Sequence, residues 1–313
     1  MSMRVALVGV GGIAQKGYLP VLATWEGVEL MLCRRNATEL ERLQSQYHVE
    51  RATTNLEQLI DWKPDAAFVL TPTPTHAEIT RQFLHAGIDV LLEKPATPTA
   101  AEAQELAELA DACQRILMIA FNRRYAPLSI LARRMWGEQS IGFATFEKHR
   151  TKPFFRGFDE QVNEEDIHII DMLRFLCGEA QAVKTVYTMD EKEGYFLQLS
   201  SLLKLENGGI ATISATMRAG QWYEHYALNG GGSSLYLDAF SELRFVTPDR
   251  EQKWSEPYPS AWQSSLVGRG FVGQMEHFFE CVRTRQQPLT NAWDSVKTQR
   301  LVEDIVAKSQ VES

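Results

Sequence analysis

A continuous apolar stretch near the start of the chain ends in a glycine-rich turn: residues 4–10 read R-V-A-L-V-G-V. A strand that is buried on both faces has this pattern, which is typical of a parallel sheet. Similar stretches recur at 28–33, 66–70, 89–92 and 117–120. Helical periods lie between them, and one of these begins with a T-A-A-E capping box at 99–102. Strands that alternate with helices at this spacing predict βαβ units and a parallel sheet over residues 1–121.

This alternation stops near Phe121. The remaining residues, 122–313, contain alternating strand-like segments and turns such as E-N-G-G at 206–209. Helices are predicted near 164–177, 273–284 and 292–308. A chain of 313 residues exceeds the size at which one core usually keeps growing. We therefore expect an α/β protein of two domains, 1–121 with a parallel sheet and 122–313 with an α+β fold and a mostly antiparallel open sheet. The helix at 292–308 is a candidate to pack back on the first domain.

Charge and composition exclude several classes of protein. The net charge of −8 and the lack of a long basic run argue against nucleic acid or a membrane as the main partner. No apolar run approaches the roughly 20 residues of a membrane helix, and the first strand is not preceded by a signal peptide. Four scattered cysteines argue against a disulfide framework or a zinc site. We expect a cytoplasmic protein without a structural metal.

The turn after the first strand reads G-V-G-G-I-A over residues 9–14, a G-x-G-x-x-A motif. A strand before it and a helix after it are the context that the dinucleotide-binding fingerprint requires. Gly9 permits the tight turn and Gly11 lets the backbone approach a pyrophosphate, while the helix start offers free N–H groups to the phosphates. Gly9, Gly11, Gly12 and Ile13 are therefore predicted to bind a dinucleotide. A glycine-rich turn without a ligand is the alternative.

The end of the second strand reads C-R-R-N over residues 33–36 and has no carboxylate for an adenosine ribose. Arginine suits a 2′-phosphate because its guanidinium forms charge-assisted, bidentate hydrogen bonds. Arg34 and Arg35 therefore favour NADP over NAD as the cofactor. Stacking of an arginine on adenine, or simple solvation of both side chains, are the alternatives.

Two further motifs follow predicted strands: T-P-T-P-T-H at 71–76 and E-K-P at 93–95. Both lie at carboxyl ends of parallel strands, where doubly wound sheets bind their ligands. A lysine at such a position can hold a substrate oxygen and exchange its proton. Lys94 is therefore a candidate acid/base, with an ordinary surface lysine as the alternative.

These motifs, followed by F-N-R-R-Y-A-P at 121–127 and G-F-V-G-Q-M-E-H-F at 270–278, resemble the glucose–fructose oxidoreductase / inositol dehydrogenase family (Gfo/Idh/MocA), and within it the MviM-like branch. The resemblance implies a Rossmann domain and a second domain whose open sheet covers the nicotinamide and often forms a dimer interface. It implies that Lys94 is catalytic, that Glu93 helps to hold the cofactor ribose, and that the Lys94–Pro95 bond is a candidate cis peptide. Thr71, Thr73 and His76 are expected on the cofactor side of the site.

The segment E-E-D-I-H-I-I-D at 164–171 is predicted to supply the rest of the site. Helical spacing places Glu164, His168 and Asp171 on one face of an otherwise apolar helix, so these polar groups must be paired or line a cavity. The family usually shows D-x-G-x-H-x-x-D here, whereas this chain has Glu164 for the first Asp and Asp166 for the Gly. The resemblance implies that His168 acts with Lys94 and that Glu164 supports them. A buried, mutually satisfied cluster is the alternative.

Further substrate contacts are expected from Asn122, Lys148, Arg150 and Asp171. The predicted function is transfer of a hydride between NADP or NAD and a carbinol or carbonyl carbon of a sugar or polyol, in a homodimer or homotetramer formed through the second sheet. Two alternatives stay open: a glycoside hydrolase that uses NAD as an internal redox relay, and a non-catalytic NADP-binding sensor or scaffold.

Overall fold

The computed structural model describes residues 2–255 and 264–311. The strands are β1 Met3–Val8, β2 Val28–Cys33, β3 Arg51–Thr53, β4 Ala66–Val69, β5 Asp89–Leu92, β6 Leu117–Ile119, β7 Phe143–His149, β8 Ala180–Met189, β9 Phe196–Leu205, β10 Ile210–Thr216, β11 Tyr223–Gly230, β12 Ser233–Asp238, β13 Glu242–Thr247, β14 Arg250–Ser255 and β15 Ser309–Val311. The α-helices are α1 Leu19–Leu22, α2 Ala37–Tyr47, α3 Leu56–Asp61, α4 His76–His85, α5 Ala100–Ala112, α6 Pro127–Trp136, α7 Phe158–Gln161, α8 Ile167–Cys177, α9 Ser265–Gly268, α10 Phe271–Thr284 and α11 Ala292–Ala307.

The first compact unit comprises Met1–Phe121 and Phe271–Lys297. Its six-stranded sheet has the order β3-β2-β1-β4-β5-β6, and every pairing is parallel. All residues of β4 and β5 are buried, as expected for strands covered on both faces. The capping prediction at 99–102 is confirmed, since the Thr99 hydroxyl accepts from the Glu102 amide at 3.3 Å. The Rossmann sheet predicted from the sequence is therefore present.

Residues 271–297 belong to this first unit, so the chain does not divide at residue 121 alone. The reason is the apolar face of α10, where Phe278 and Phe279 contact Phe68 of β4 edge to face at centroid distances of 5.5 and 5.8 Å. Phe279 also packs on Trp25 at 5.0 Å. The sequence singled out α11 as the returning helix, whereas α10 returns as well and only the first part of α11 clusters here.

The second unit comprises Asn122–Gly270 and the chain from Thr298 onward. Its nine-stranded sheet has the order β14-β13-β12-β11-β7-β10-β9-β8-β15 and is mostly antiparallel, with parallel pairings of β7 with β10 and β8 with β15. Alternate residues of β9 are buried, and the same pattern recurs in β7 and β10. α6 and α8 lie on the buried face. The expected mostly antiparallel open sheet is confirmed.

The other face of this sheet carries exposed apolar side chains. Phe143, Ile210 and Leu202 are 43%, 48% and 41% exposed. Phe143 is the register partner of Ile210, and Leu202 is the partner of Thr212 two residues along β10, so the three lie on one face. Within residues 2–255 and 264–311, no helix combines the length and the apolar character that crossing a bilayer requires.

Candidate functional site

The glycine turn lies between β1 and the first helix. Gly9 has a φ of +85°, and a Cβ added to it would lie 2.7 Å from the carbonyl carbon and oxygen of Leu70. Only glycine fits this position. A Cβ on Gly11 or Gly12 would meet no atom within 4 Å. The free space at these two glycines therefore fits the close approach of a ligand.

A cavity of about 500 Å³ opens beside this turn. Five of the residues predicted to bind cofactor line it: Gly9, Gly11, Arg34, Arg35 and Thr71. The lining also includes residues that sequence reasoning missed, among them Asn36, Thr54, Leu56, Thr75 and Glu78. Thr54 and Leu56 follow β3, so the rule that ligands bind at carboxyl ends of parallel strands would have found them had that short strand been recognised. The volume is within the usual range of small-molecule sites.

The two arginines at the end of β2 differ in their surroundings. The Arg34 guanidinium donates to the Val10 carbonyl and so joins the end of β2 to the glycine turn. Arg35 is exposed and has no hydrogen-bond partner among the described residues. Asn36 caps α2 by accepting from the Glu39 amide at 2.9 Å, which begins that helix directly after the arginines.

Lys94 follows β5, and the Lys94–Pro95 peptide is cis, as the family resemblance implied. The Glu93 carboxylate accepts from the Lys94 amide at 3.0 Å and from the Tyr18 hydroxyl at 2.7 Å. Tyr18 in turn accepts from the side chain of Gln274 at 3.0 Å. Burial raises the pKa of Glu93, and burial together with Glu93 raises that of Tyr18, so the tyrosine stays a donor. The backbone that carries Lys94 is thus fixed by a buried carboxylate.

His76 links the other predicted motif to the same backbone. Its Nδ1 lies 2.8 Å from the Pro95 carbonyl oxygen and its Nε2 lies 2.7 Å from the Thr71 carbonyl oxygen. Carbonyls only accept, so both contacts are hydrogen bonds at once only when both ring nitrogens carry a proton. The ring is 1% exposed and both nitrogens are engaged within the protein. His76 therefore joins the segments after β4 and β5, while Thr73, also buried, lies in the intervening 3₁₀ turn.

In the second unit, Glu164 and His168 lie on consecutive helical turns. A π-helical turn, Val162–Asp166, precedes α8 and includes Glu164, whereas His168 lies in the first turn of α8. Both side chains are half-buried. π turns inside helices occur frequently at functional sites. The 3.6-residue period predicts a common face for Glu164 and His168, but it does not predict this local widening of the helix.

Asp171 has a different environment from the other residues of that motif. It is 1% exposed and binds the Arg124 guanidinium through both oxygens, at 2.5 and 2.8 Å. The Thr298 hydroxyl also donates to it, at 3.0 Å. The expected substrate contact is thus a buried ion pair that attaches α8 to the segment after β6. Asn122 is likewise buried and donates to the Arg269 carbonyl at 2.8 Å.

Lys148 and Arg150, at the end of β7, both bind Glu165. The Lys148 ammonium is 0% exposed and lies 3.1 Å from the Glu165 carboxylate, and Arg150 donates to the same oxygen at 2.6 Å. Burial lowers the pKa of Lys148 to about 8. Burial alone would raise the pKa of Glu165, but Lys148 and Arg150 lower it to about 2. The carboxylate is therefore ionised and holds both cations.

Asp166 occupies the position at which the family usually has glycine. It is fully buried, and both oxygens accept from the Gln161 amide at 3.2 Å. Burial raises the pKa of Asp166 to about 7. Within the described residues, no group of three or more His, Cys, Asp or Glu side chains could hold a metal ion.

Comparison with known proteins identifies the class. The oxidoreductase family described as having an NAD-binding Rossmann fold matches residues 3–121, and the C-terminal alpha/beta domain of the same family matches residues 164–313. The chain belongs to the Gfo/Idh/MocA family and is an NAD(P)-dependent oxidoreductase.

Relatives cover nearly the whole chain. It is 32% identical over 312 residues to the oxidoreductase YceM of Salmonella typhimurium, covering 96% of each chain. It is 23% identical to the D-apiose dehydrogenase of Paraburkholderia graminis, over 95% of this chain and 85% of the relative. Among solved structures, the MviM dehydrogenase of Clostridium difficile superposes with a TM-score of 0.89 at 25% identity, covering 98% and 99% of the two chains. Sugar dehydrogenases are thus among its homologues.

Proposed function

We propose that this protein transfers a hydride between the nicotinamide of NADP(H) and a carbinol or carbonyl carbon of a sugar or polyol. In this proposal Lys94 exchanges the hydroxyl proton, His168 orients the reacting oxygen and relays the proton, and Glu164 supports them. The observation that carries the proposal is the fixed backbone of Lys94, which follows β5 at the ligand-binding end of the sheet and is bound to buried Glu93.

The residues of the glycine turn fit a dinucleotide. Gly11 and Gly12 leave space for a pyrophosphate. A helical segment begins at Gly12 and continues through a π-helical turn, Ala14–Tyr18, into α1, and its first amide groups have no intrahelical acceptors. When bound, the nicotinamide supplies the hydride chemistry. Gly9, Gly11, Gly12 and Ile13 would hold the pyrophosphate, and of these Gly9 and Gly11 line the cavity together with Thr71.

Preference for NADP is part of the proposal. Arg34 and Arg35 line the cavity where a Rossmann fold places the adenosine ribose, and Arg35 has no partner among the described residues. Its guanidinium is therefore available for a 2′-phosphate. Substituting Arg35→Gln should raise the Kd for NADPH by about tenfold or more and leave that for NADH nearly unchanged. Equal affinity of the wild type for NADPH and NADH would remove this part of the proposal.

Lys94→Ala tests the proposed chemistry. We expect turnover to fall by at least about two orders of magnitude, the usual contribution of a general acid–base group. The Kd for NADPH should stay within about threefold, because the glycine turn is untouched. Lys192→Ala is the control, since Lys192 is an exposed lysine of the second unit. Near-normal turnover of the Lys94→Ala variant would exclude this lysine as the acid/base.

Association of copies through the second sheet is also proposed. Phe143, Leu202 and Ile210 give its open face an apolar surface of the kind that marks protein contacts. We expect a homodimer or homotetramer, measured by light scattering after gel filtration. Leu202→Glu should shift the mass toward the monomer, and an unchanged mass would contradict this use of the face.

A further inference from the structure

Four cationic side chains lie close together in the second unit, and two ionised carboxylates, Glu165 and Glu224, bind three of them. Arg123 binds Glu224 through two hydrogen bonds of 2.7 and 2.6 Å, and this pair is buried. Lys148 and Arg150 share Glu165, as described above. The fourth cation is Arg269. Burial raises the pKa of Asp166, beside them, to about 7, so this carboxyl is only about half ionised near neutral pH.

The Arg269 guanidinium has no hydrogen-bond acceptor among the residues that the structure describes. It lies instead over two aromatic rings, 4.9 Å from the ring centre of Trp222 and 5.3 Å from that of Phe240. Burial, then repulsion from Arg123 and Arg150, lowers the pKa of Arg269, and attraction to the Glu224 carboxylate opposes this only in part. A cation that has cationic neighbours and forms no hydrogen bond to a described carboxylate is where an added anion gains most.

The aromatic side chains of Trp222 and Phe240 contact these cations. The rings of Trp222 and Phe240 are stacked with centres 5.9 Å apart and planes 8° from parallel. The Arg150 guanidinium lies 5.1 Å from the ring centre of Trp222, and the Arg123 guanidinium lies 5.6 Å from that of Phe240. Phe240 has a φ of +70°, a backbone conformation that bulky residues rarely adopt. Strained conformations of this kind cluster at functional sites. Both rings are only half-buried.

Trp222 adds a second donor without a partner. Its Nε1 is buried, yet it has no hydrogen-bond partner among the described residues. A buried donor of this kind destabilises the fold unless a ligand or water accepts from it. Trp222 and Arg269 are in contact, so one acceptor could satisfy both.

We propose that Arg269, Trp222 and Arg150 bind a carbohydrate that carries a negatively charged group, and that the substrate of the proposed reaction is therefore an acidic sugar. The guanidinium groups of Arg269 and Arg150 and the Nε1 donor of Trp222 would bind the anionic group of the sugar. Arg150 connects this site to the segment of His168, because its partner Glu165 lies between Glu164 and His168. This inference rests on the proposed function for the identity of the ligand as substrate, but the binding itself does not require turnover.

The test measures binding to the full-length Lys94→Ala variant by calorimetry, so that binding is separated from catalysis. The probes are D-gluconate and D-glucuronate, glucose 6-phosphate, and the neutral compounds glucose and sorbitol. We expect an acidic probe to bind at least about tenfold more tightly than its neutral counterpart. Comparison of the two carboxylates with glucose 6-phosphate shows which anionic group is preferred. Tight binding of either kind of probe supports an anion site.

Arg269→Gln, added to this variant, should remove the preference for acidic probes. Trp222→Phe keeps an aromatic ring but removes the Nε1 donor. It should weaken the binding of the acidic probes and leave that of the neutral probes unchanged. Arg244→Gln is the matched control, since Arg244 also lies over an aromatic ring, 4.8 Å from the centre of Tyr236. Equal binding of acidic and neutral probes, or an unchanged preference in both test variants, would overturn the proposal. Turnover by Lys94→Ala would instead refute the proposed catalytic lysine and leave the anion site standing.

Discussion

The two glycines of the first turn should respond in opposite ways to the same added methyl group. Gly9 has a φ of +85°, and its Cβ would lie 2.7 Å from backbone atoms of Leu70. The left-handed conformation costs about 1–2 kcal/mol for a residue with a Cβ, and overpacking against fixed atoms typically costs a further 1–3 kcal/mol. Gly9→Ala should therefore lower the free energy of unfolding by about 2–5 kcal/mol, which corresponds to a fall in Tm of about 5–15 °C.

Gly11→Ala should leave the fold intact, because φ at Gly11 is not positive and its Cβ would meet nothing within 4 Å. The methyl group would instead fill the space that a pyrophosphate needs. Loss of one charge-assisted hydrogen bond, about 1.5–3 kcal/mol, corresponds to a Kd for NADPH raised by roughly 10- to 150-fold.

The assay combines thermal melts with fluorescence titration of NADPH for the wild type and both variants. Gly137→Ala serves as a control, since Gly137 also has a positive φ of 60° but the first backbone atom near its Cβ lies 3.9 Å away. Gly137→Ala should lower the free energy of unfolding only by the cost of the left-handed conformation, about 1–2 kcal/mol. If Gly11→Ala bound NADPH as tightly as the wild type while remaining folded, the space at Gly11 would not be the pyrophosphate site.

Three further predictions concern buried polar groups. Asp171→Asn removes the carboxylate that pairs with the Arg124 cation. The free energy of unfolding, measured by urea denaturation, should fall by about 3–5 kcal/mol. Burial alone would raise the pKa of Glu224, but Arg123 lowers it to about 2. Because this folded-state pKa lies below the unfolded value, the stabilisation from ionised Glu224 is complete above about pH 4.5 and is lost as pH falls toward 2. The midpoint of urea unfolding should therefore drop over that window. His76→Asn cannot bridge two carbonyls and should lower kcat, with a smaller effect on the Kd for NADPH, because the segment after β5 loses its attachment.

Controls for these predictions use the same chain. Arg42→Gln removes an exposed ion pair with Glu39 and should cost less than about 1 kcal/mol, unlike Asp171→Asn. In Glu224→Gln the urea midpoint should fall less between pH 5 and pH 3 than it does in the wild type. An unchanged fall would show that Glu224 does not cause the loss of stability at low pH. An unaltered kcat in His76→Asn would show that this histidine does not position the lysine segment.

The sequence was sufficient to predict the elements whose pattern is local. The first β-strand, the glycine turn and the capping box of α5 each depend on neighbouring residues, and all three are present. β7, Phe143–His149, shows the regular alternation of more and less buried residues expected of the strand-like segments in 122–313. β14 was not predicted, since R-E-Q-K-W-S shows no apolar alternation and the strand is an edge of the sheet.

The environments of individual site residues were less predictable, because distant parts of the chain create them. The partner of Asp171 is Arg124, 47 positions away, and His76 binds a carbonyl 19 positions away. Periodicity identifies Asp171 as polar on a buried helix but cannot tell a paired carboxylate from one that lines a cavity. Trp222 and Arg269 show the same limit, since only the folded second unit brings them into contact.

In the proposed function the turn at residues 9–13 binds a pyrophosphate, and Lys94 serves the nicotinamide chemistry. A crystal structure of the protein grown with saturating NADP⁺ tests it most directly. We predict that the pyrophosphate lies against Gly11 and Gly12, and that the Lys94 ammonium lies within about 4 Å of the position that a substrate oxygen takes beside nicotinamide C4. A turn without bound pyrophosphate, or a Lys94 side chain directed into bulk water far from the ring, would contradict it.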